Sequence, residues 1–308
     1  ILTDMLKNCQ LCPRACGADR TKSRGACGAG IEIEATRASL HMWEEPPISG
    51  TNGSGTVFFS HCSLGCVFCQ NHAISRGKKG YGVSVQTLAD EFLRLQEMGA
   101  VNINLVTPTH FLPSILPALA PKLPVPVVYN CGGYESIETL RALEGLVDIY
   151  LPDFKYVDNQ LAIRYSGTAD YFEQAGAAIR EMVRQTGPYR LDQDGMLCSG
   201  VLIRHLILPG QIQNSKQVID WISDCFPAGT VLFSLMSQYL PCGRAADLPE
   251  INRRLYQQEY DEVEEYLFQK GIEDGFLQEL SSADHVYIPN FDLTGVLSGT
   301  KNKQDFPG

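Results

Sequence analysis

Residues 55–71 read GTVFFSHCSLGCVFCQN, a β-like apolar run followed at once by three cysteines in the spacing C-x3-C-x2-C. Cys62, Cys66 and Cys69 give three thiolates on one loop, which suits a 4Fe-4S cluster whose fourth iron stays open. An open iron binds a small molecule and passes it an electron, whereas four cysteine ligands suit simple electron transfer. The alternative is a disulfide or a zinc knuckle, but zinc usually takes paired C-x2-C units and four ligands. The triad therefore predicts a catalytic iron–sulfur centre.

Around this loop, short β-rich runs alternate with amphipathic helical stretches, which is the pattern of βα units and a parallel sheet. The six predicted strands are 56–60, 101–106, 125–130, 147–151, 201–208 and 230–235. Helices are predicted over 87–98, 136–145, 214–226 and 249–270, with loop and a short helix over the proline-rich run 108–126. In a parallel βα barrel the loops after the strands meet at one mouth, and the triad lies in the first such loop. The sequence predicts an α/β fold, a partial (β/α)6 TIM-like barrel.

The chain is long enough, at 308 residues with 44% apolar, to bury one large core. We expect a Cys-rich N-terminal extension over 1–40, the barrel over 41–245, and a C-terminal helix and tail packed on the barrel over 246–308. No apolar run approaches the roughly 20 residues that span a bilayer, and no secretory leader opens the sequence. The expected protein is soluble and cytoplasmic, with no membrane partner.

Cysteine usage and charge narrow the function further. Eleven cysteines, an odd count concentrated in two metal-like groups, suit a reducing compartment better than a disulfide framework. Oxygen sensitivity, and so an anaerobic setting, is expected. The formal net charge of −10 and pI near 5.1 argue against broad nucleic-acid binding, which calls for a basic face.

A second cysteine group precedes the barrel, with Cys9, Cys12, Cys16 and Cys27 in the spacing C-x2-C-x3-C-x10-C. Four thiols are a complete ligand set for zinc or for a second iron–sulfur cluster. Metal binding would also supply stability that so short a segment lacks. Zinc would act as a structural clamp, while iron–sulfur would indicate electron entry or substrate contact. Of the two, iron–sulfur is favoured.

The order of several motifs resembles a known superfamily. The matching blocks, over about residues 40–240, are EEPPISGTNGSGTVFFSHCSLGCVFCQN, LVTPTH, YNCGGYES, DIYLPDFKY, VLIRHLILPG and SLMSQY. They resemble radical S-adenosylmethionine (SAM) enzymes of the branch similar to pyruvate formate-lyase activating enzyme, including an aromatic residue, Phe68, before the last cysteine. The resemblance implies a barrel of the radical SAM type and an electron donor such as flavodoxin or ferredoxin. It also implies reductive cleavage of SAM to a 5′-deoxyadenosyl radical that abstracts hydrogen from a substrate.

The resemblance assigns roles to charged residues at the strand ends. Arg204 stands where the activating enzymes carry an arginine for the SAM carboxylate, and the alternative is a structural pair with a carboxylate across the mouth. Asp153 and Lys155 match the D-x-K segment, in which the aspartate is associated with a monovalent cation and the lysine with SAM. Asn130 falls at another oxygen ligand of that cation, although it replaces a carboxylate. An ordinary surface pair of Asp153 with Lys155 is the alternative.

Other positions are assigned less directly. The family's glycine-rich segment for the SAM amine is replaced here by 107–110, so the hydroxyls of Thr107 and Thr109 are expected to take its role. His110 is expected to be buried against a backbone group, the alternative being substrate contact. Two further SAM contacts are expected from Gln238 and Tyr239. Glu44 and Glu45 belong to a solvated loop or contact the substrate, and Cys131 at a strand end is either a buried small hydrophobe or a hydrogen donor.

Three functions follow from these observations. The first is a radical SAM enzyme that acts on a protein, in the manner of a glycyl-radical activase. The second is the same chemistry on a small molecule or on a non-glycyl-radical protein, since SAM-binding motifs report the cofactor and not the acceptor. The third is a non-enzymatic iron–sulfur electron-transfer protein, against which the three-cysteine triad argues.

Overall fold

The computed structural model describes residues 4–77 and 80–297. Its strands are β1 Ile33–His41, β2 Ser54–Phe59, β3 Tyr81–Val83, β4 Ile103–Val106, β5 Val127–Cys131, β6 Ile149–Pro152, β7 Arg190–Leu191, β8 Leu197–Leu206, β9 Leu232–Met236 and β10 Gly275–Leu277. Its α-helices are α1 Pro46–Ser49, α2 His72–Ser75, α3 Val85–Glu97, α4 Leu112–Leu119, α5 Ile137–Arg141, α6 Asn159–Ser166, α7 Tyr171–Thr186, α8 Ile212–Cys225 and α9 Gln257–Gln269. Single 3-10 turns lie at Asp4–Leu6, Thr109–Phe111, Ala245–Asp247, Leu280–Ser282 and His285–Tyr287.

One curved sheet organises the molecule, in the strand order β10-β9-β8-β6-β5-β4-β2-β1-β3, with β7 paired to β8. The pairings from β2 to β10 along this order are parallel. Strands β4, β5 and β6 are buried along their whole length, as continuous apolar runs between two covering layers are. Each of the six predicted strands overlaps one of β2, β4, β5, β6, β8 and β9.

Helix boundaries differ from the predictions where side chains cap a turn. Helix α3 begins at Val85 because Ser84 accepts a hydrogen bond from the Thr87 N–H. Helix α9 begins at Gln257, not at 249, because the Glu259 carboxylate accepts from the Tyr256 N–H at 2.9 Å and so sets the first turn. The segment before it is buried without being helical, as Ile251 shows.

Strands β1 and β10 lie at the two sides of the predicted barrel strands in the sequence and join the same sheet. The predicted boundary at residue 40 falls inside β1, which pairs antiparallel with β2, so this strand belongs to the sheet and not to the extension. At the other end, β10 adds a parallel strand beside β9. The Leu293 N–H and Thr294 carbonyl bond to β1, so this part of the predicted tail packs on the barrel. Residues 298–308 of that tail lie outside the described residues.

Among the helices within residues 4–77 and 80–297, none combines the length and the apolar character that crossing a bilayer requires.

Candidate functional site

A cavity opens at the carboxyl ends of the parallel strands. The loop after β2 brings Cys62, Cys66 and Cys69 to its wall, and Thr107 follows β4 there. The other predicted site residues on the wall are Phe68, Asn130, Asp153, Lys155, Arg204, Gln238 and Tyr239. The topology thus brings residues from six of the parallel strands around one space, as expected for parallel βα units.

The cysteine loop depends on two unusual backbone conformations. His61 and Gly65 have positive φ angles of 72° and 65°. A Cβ added at Gly65 would lie 1.8 Å from Nε of Arg76, whose guanidinium donates to the Leu64 carbonyl at 3.0 Å. Glycine is therefore required at 65, and the strained His61 directly before Cys62 is of the kind found at functional sites.

Helix α6 holds the loop from the side. The Val67 N–H donates to the Tyr165 carbonyl at 2.9 Å, and the Ser166 hydroxyl donates to Sγ of Cys66 at 2.9 Å. The Phe68 ring packs against the rings of Tyr165 and Tyr239. Ser166 was not predicted as a site residue, because a serine at a helix end is ordinary and its partner is distant in the chain.

The thiols of this loop suit a metal-bound state better than a free thiolate state. Burial raises the pKa of Cys62 and raises that of Cys69 to about 12, and neighbouring thiolates add to both shifts. Ionisation at this depth calls for the positive charge of a metal. Three sulfur donors fit a 4Fe-4S cluster with an open iron. Among the described residues no three His, Cys, Asp or Glu side chains already form a metal-ligand group, so binding a cluster would draw the thiols together.

Arg204 lies at the centre of a cluster of charged and polar side chains. Its Nε donates to Asp153 Oδ1 at 2.9 Å, its Nη1 to Glu44 Oε2 at 3.1 Å and its Nη2 to Asn130 Oδ1 at 2.7 Å. Glu45 Oε2 lies 3.8 Å from Nη1. The predicted alternative, a structural pair across the mouth, is thus present. The contact with a SAM carboxylate stays a prediction for a side chain that also reaches the cavity wall.

Asp153 and Lys155 form a half-buried pair, 2.6 Å between Lys155 Nζ and Asp153 Oδ2, rather than the surface pair considered from the sequence. Burial alone would raise the pKa of Asp153, but the charges of Arg204 and Lys155 hold it below its ordinary value. Both carboxylate oxygens therefore already face cations. Asn130 Oδ1 is also taken by Arg204, so this arrangement disfavours the predicted monovalent cation.

Glu45 is buried and Glu44 is half-buried, which corrects the solvated-loop alternative. Glu44 accepts from the amides of Asn104 and Asn130, both at 3.2 Å, in addition to Arg204. Glu45 Oε2 is buried and has no hydrogen-bond donor. Burial raises the pKa of both carboxyls, to about 7 for Glu45, although Arg204 opposes the shift. Both side chains line the cavity.

The two threonines of the segment after β4 lie in different environments. Thr107 lies on the cavity wall with a positive φ of 58°. Thr109 instead donates to Glu135 at 2.9 Å and accepts from Tyr129 at 3.1 Å inside the sheet's core, so the structure places it away from the cavity. His110 is buried with Nε2 2.6 Å from the Ser60 carbonyl, and burial lowers its pKa to about 3, as the expectation of a buried histidine requires.

Aromatic side chains also line the cavity. Tyr239 buries its ring against Phe68 and donates its hydroxyl to the Ile251 carbonyl at 2.7 Å, so only its ring faces the cavity. Trp43 and Tyr287 stack edge to face with centroids 4.9 Å apart at the same wall. These last two were not predicted, because an isolated aromatic residue has no local pattern that marks a site.

The cysteines outside the triad are free thiols. Cys131 is buried and lies on the cavity wall, so both of its predicted roles stay open. Cys198, Cys225 and Cys242 are half-buried. In the extension, Cys9 and Cys27 are buried, Cys12 is half-buried and Cys16 is exposed.

Comparisons with known proteins support this fold. No protein-family model matches the sequence. Structures of SuiB from Streptococcus suis, one bound to the precursor peptide SuiA and one bound to S-adenosylmethionine, superpose with TM-scores of 0.52 at 12% identity. They cover 72% of this chain, which spans about half the length of SuiB (48% and 49%). This likeness shows the fold and confirms the predicted α/β partial barrel of the radical SAM type.

Sequence comparison gives a nearer relative. "Uncharacterized protein MJ0674" of Methanocaldococcus jannaschii is 30% identical over 277 residues, which are 87% of this chain and 75% of the relative. Such identity over three quarters of the relative is sufficient for common membership. The chain belongs to the family of MJ0674.

Proposed function

We propose that the chain is a radical SAM enzyme whose cavity binds S-adenosylmethionine beside Cys62, Cys66 and Cys69. A 4Fe-4S cluster held by these thiolates would supply the electron that splits SAM into methionine and a 5′-deoxyadenosyl radical, which then takes hydrogen from the substrate. The observation that carries the proposal is the position of three thiols from one loop on the wall of a cavity at the strand ends. An electron carrier has no need of such a cavity.

Charge in the cavity supports SAM as the ligand. The wall carries three acids, Glu44, Glu45 and Asp153, and two bases, Lys155 and Arg204, so it offers partners to charged groups of both signs. SAM carries a sulfonium, an ammonium and a carboxylate, one net positive charge at neutral pH. Complementary charge of this kind favours binding.

Different residues of the cavity wall would bind different parts of SAM. Arg204 and Lys155 are the cations available to its carboxylate. The hydroxyl and carbonyl of Thr107 are acceptors available to its ammonium. The rings of Phe68 and Tyr239 and the amide of Gln238 would receive the apolar and polar faces of its adenine.

For the substrate we propose a protein, in the manner of a glycyl-radical activase, on the strength of the sequence blocks that resemble that branch. The alternative is radical modification of a small molecule or of another protein. Deuterium from the substrate appears in 5′-deoxyadenosine when the radical abstracts it. Deuterium in 5′-deoxyadenosine that comes from a glycyl-radical protein deuterated at glycine would support the activase proposal. Deuterium that comes only from a small metabolite would refute it. A flavodoxin or ferredoxin in the cytoplasm is the proposed reductant.

The proposed chemistry is tested by 5′-deoxyadenosine formation. The protein is reconstituted anaerobically with iron and sulfide, then mixed with SAM and dithionite. Cys66→Ala should abolish product, while Cys198→Ala, at a half-buried cysteine of β8, should leave it unchanged. Equal product from Cys66→Ala would contradict the proposal. So would failure of the iron-loaded wild type to bind SAM in equilibrium dialysis.

A further inference from the structure

The four cysteines of the N-terminal extension converge in the structure. The thiols of Cys9 and Cys16 are in hydrogen-bond contact. A Cβ added at Gly25 would lie 3.5 Å from Sγ of Cys16 and 3.5 Å from Sγ of Cys27, so a glycine leaves open the space between these two sulfurs. Cys12 lies close enough to Cys9 and Cys27 for their charges to interact. These thiols are free. Among the described residues they do not yet form a group of three metal ligands, so a bound metal would draw neighbouring thiols together.

Each of the four sulfurs faces an N–H donor. The donors are the backbone N–H groups of Arg14, Ala18, Ala26 and Ala29, and the guanidinium of Arg20, whose Nη1 lies 3.7 Å from Sγ of Cys9. N–H groups directed at sulfur are the outer ligands of metal–thiolate centres, where they orient the thiolates and tune the reduction potential. Thiols kept only for packing would not need these five donors.

The extension is fastened to the catalytic cysteine loop by Arg14, which lies between Cys12 and Cys16. Its guanidinium donates to the carbonyls of Ser63 and Leu64, between the first two cysteines of the triad. It also donates to the Ser166 carbonyl at 2.9 Å. The Ser166 hydroxyl in turn donates to Sγ of Cys66. The side chain of Arg14 therefore connects the segment that carries the N-terminal cysteines with the loop that carries the triad.

Charge on the extension is opposite to that of the whole chain. Residues 4–30 contain five Lys or Arg and two Asp, a formal charge of +3, while the chain carries −10. The side chains of Lys22 and Arg24 are 82% and 58% exposed and are ion-paired with Asp19 and Glu34, and Cys16 is exposed. The excess positive charge of residues 4–30 would steer an acidic partner to this segment.

We propose that Cys9, Cys12, Cys16 and Cys27 hold a second iron–sulfur cluster and that electrons enter the protein through it from an acidic one-electron donor protein. One electron leaves the reduced donor, reduces the N-terminal cluster, and passes across the Arg14 contact to the centre at Cys62, Cys66 and Cys69, with SAM as the final acceptor. The cluster stands on the geometry alone. Its role in electron entry rests on the proposed function.

Metal content tests the cluster itself in the full chain. With two 4Fe-4S clusters, the reconstituted wild type should hold about eight irons per chain. The double variant Cys12→Ala/Cys16→Ala should lose about four of them, and Cys198→Ala should lose none. The triple alanine variant of the triad should keep a reducible iron–sulfur signal in electron paramagnetic resonance. One zinc per chain, or unchanged iron in the double variant, would overturn the proposal.

Reduction kinetics test the role in electron entry. The double variant should lose reduction of the remaining cluster by a reduced flavodoxin, while dithionite, a small reductant, should still reduce it and support 5′-deoxyadenosine formation. Reduction by flavodoxin at the wild-type rate would overturn the relay. Loss with both reductants, with the far-ultraviolet circular dichroism unchanged, would also overturn it. Wild type that is reduced by both donors but never cleaves SAM would refute the proposed function and leave the relay intact.

Discussion

The Ser166 hydroxyl donates a hydrogen bond of 2.9 Å to Sγ of Cys66, although the two residues lie 100 positions apart. Tyr156 sits 2.9 Å behind that hydroxyl, so its position is fixed from the far side. A hydrogen bond to a cluster-bound thiolate favours the reduced, more negative state of the cluster. This contact is therefore expected to raise the reduction potential of the cluster that supplies the electron for the proposed reaction.

Ser166→Ala should lower the reduction potential of the Cys62, Cys66, Cys69 centre on the order of 40 mV, which corresponds to about 1 kcal/mol. An anaerobic redox titration followed by electron paramagnetic resonance measures it. Ser281→Ala, at an exposed serine, is the matched control and should leave the potential unchanged. Equal potentials for Ser166→Ala and wild type would show that the hydroxyl does not contact the bound thiolate.

Removing Arg204 should destabilise the fold strongly. Arg204→Ala leaves the carboxylates of Glu44 and Asp153 buried without their cation, and breaking one side of a buried ion pair costs about 3–5 kcal/mol. The exposed pair of Arg244 and Asp247, with side chains 77% and 59% exposed, supplies the control, because Arg244→Ala should cost less than about 1 kcal/mol. Urea unfolding gives both free energies. Similar losses for the two variants would contradict the buried cluster.

The parallel core was predictable from the sequence because each central strand is a short apolar run. β10 was missed, since three residues, Gly275–Leu277, give too short a pattern and pair only through the β9 that lies 40 residues earlier. The start of α9 was placed too early because Ile251 is buried at helical spacing although its backbone is a turn. Periodicity reports burial and does not distinguish a buried turn from a helix.

Within the site, the sequence predicted which residues meet but not how they pair. Asp153 was placed at the end of the fourth predicted strand and Arg204 within the fifth, and a bridge between them follows from the register of β6 on β8. The Glu44 partner of Arg204 stands 160 positions away, and no local pattern shows that contact. The same limit applied to Thr109, since which side chain of a turn faces inward depends on a single backbone rotation.

Stability should fall with rising pH because of Glu45. Its folded pKa of about 7 exceeds the ordinary 4.5, so the folded state binds the proton more tightly than the unfolded chain does between these values. This group therefore lowers the free energy of unfolding as pH rises from about 4.5 to 7. Glu45→Gln should remove the part of this pH dependence that comes from Glu45. The variant should be more stable than wild type at pH 8, by up to about 3 kcal/mol. Urea unfolding from pH 4.5 to 8 measures the difference.

Two further carboxyls bear on that experiment. Burial also raises the pKa of Glu135 to about 7 and raises that of Glu44, so Glu45→Gln should keep part of the slope. Glu45→Gln/Glu135→Gln should reduce the slope further and leave the part that comes from Glu44. Glu262→Gln, at a side chain 58% exposed, is the control and should follow the wild-type curve. Parallel curves for Glu45→Gln and wild type would mean that Glu45 is not protonated in the folded state at neutral pH.

The geometry at Gly65 predicts that the cysteine loop tolerates no side chain there. Gly65→Ala meets the Arg76 guanidinium and also forces alanine into a positive φ. Gly99 has a φ of 93° with nothing within 4 Å of an added Cβ. Gly99→Ala therefore isolates the backbone strain, about 1–2 kcal/mol, and Gly65→Ala should cost more and lower the iron bound after reconstitution.

Arg76→Ala combined with Gly65→Ala separates the two causes. The double variant removes the steric contact and keeps the strain, so its loss of stability relative to Arg76→Ala should fall to the level of Gly99→Ala. Iron binding should recover in part, because Arg76 also donates to the Leu64 carbonyl and that bond stays lost. If Gly65→Ala bound iron as wild type does, the loop would have another conformation open to it, and the positive φ at Gly65 would not be what brings Cys62 and Cys66 to the cavity.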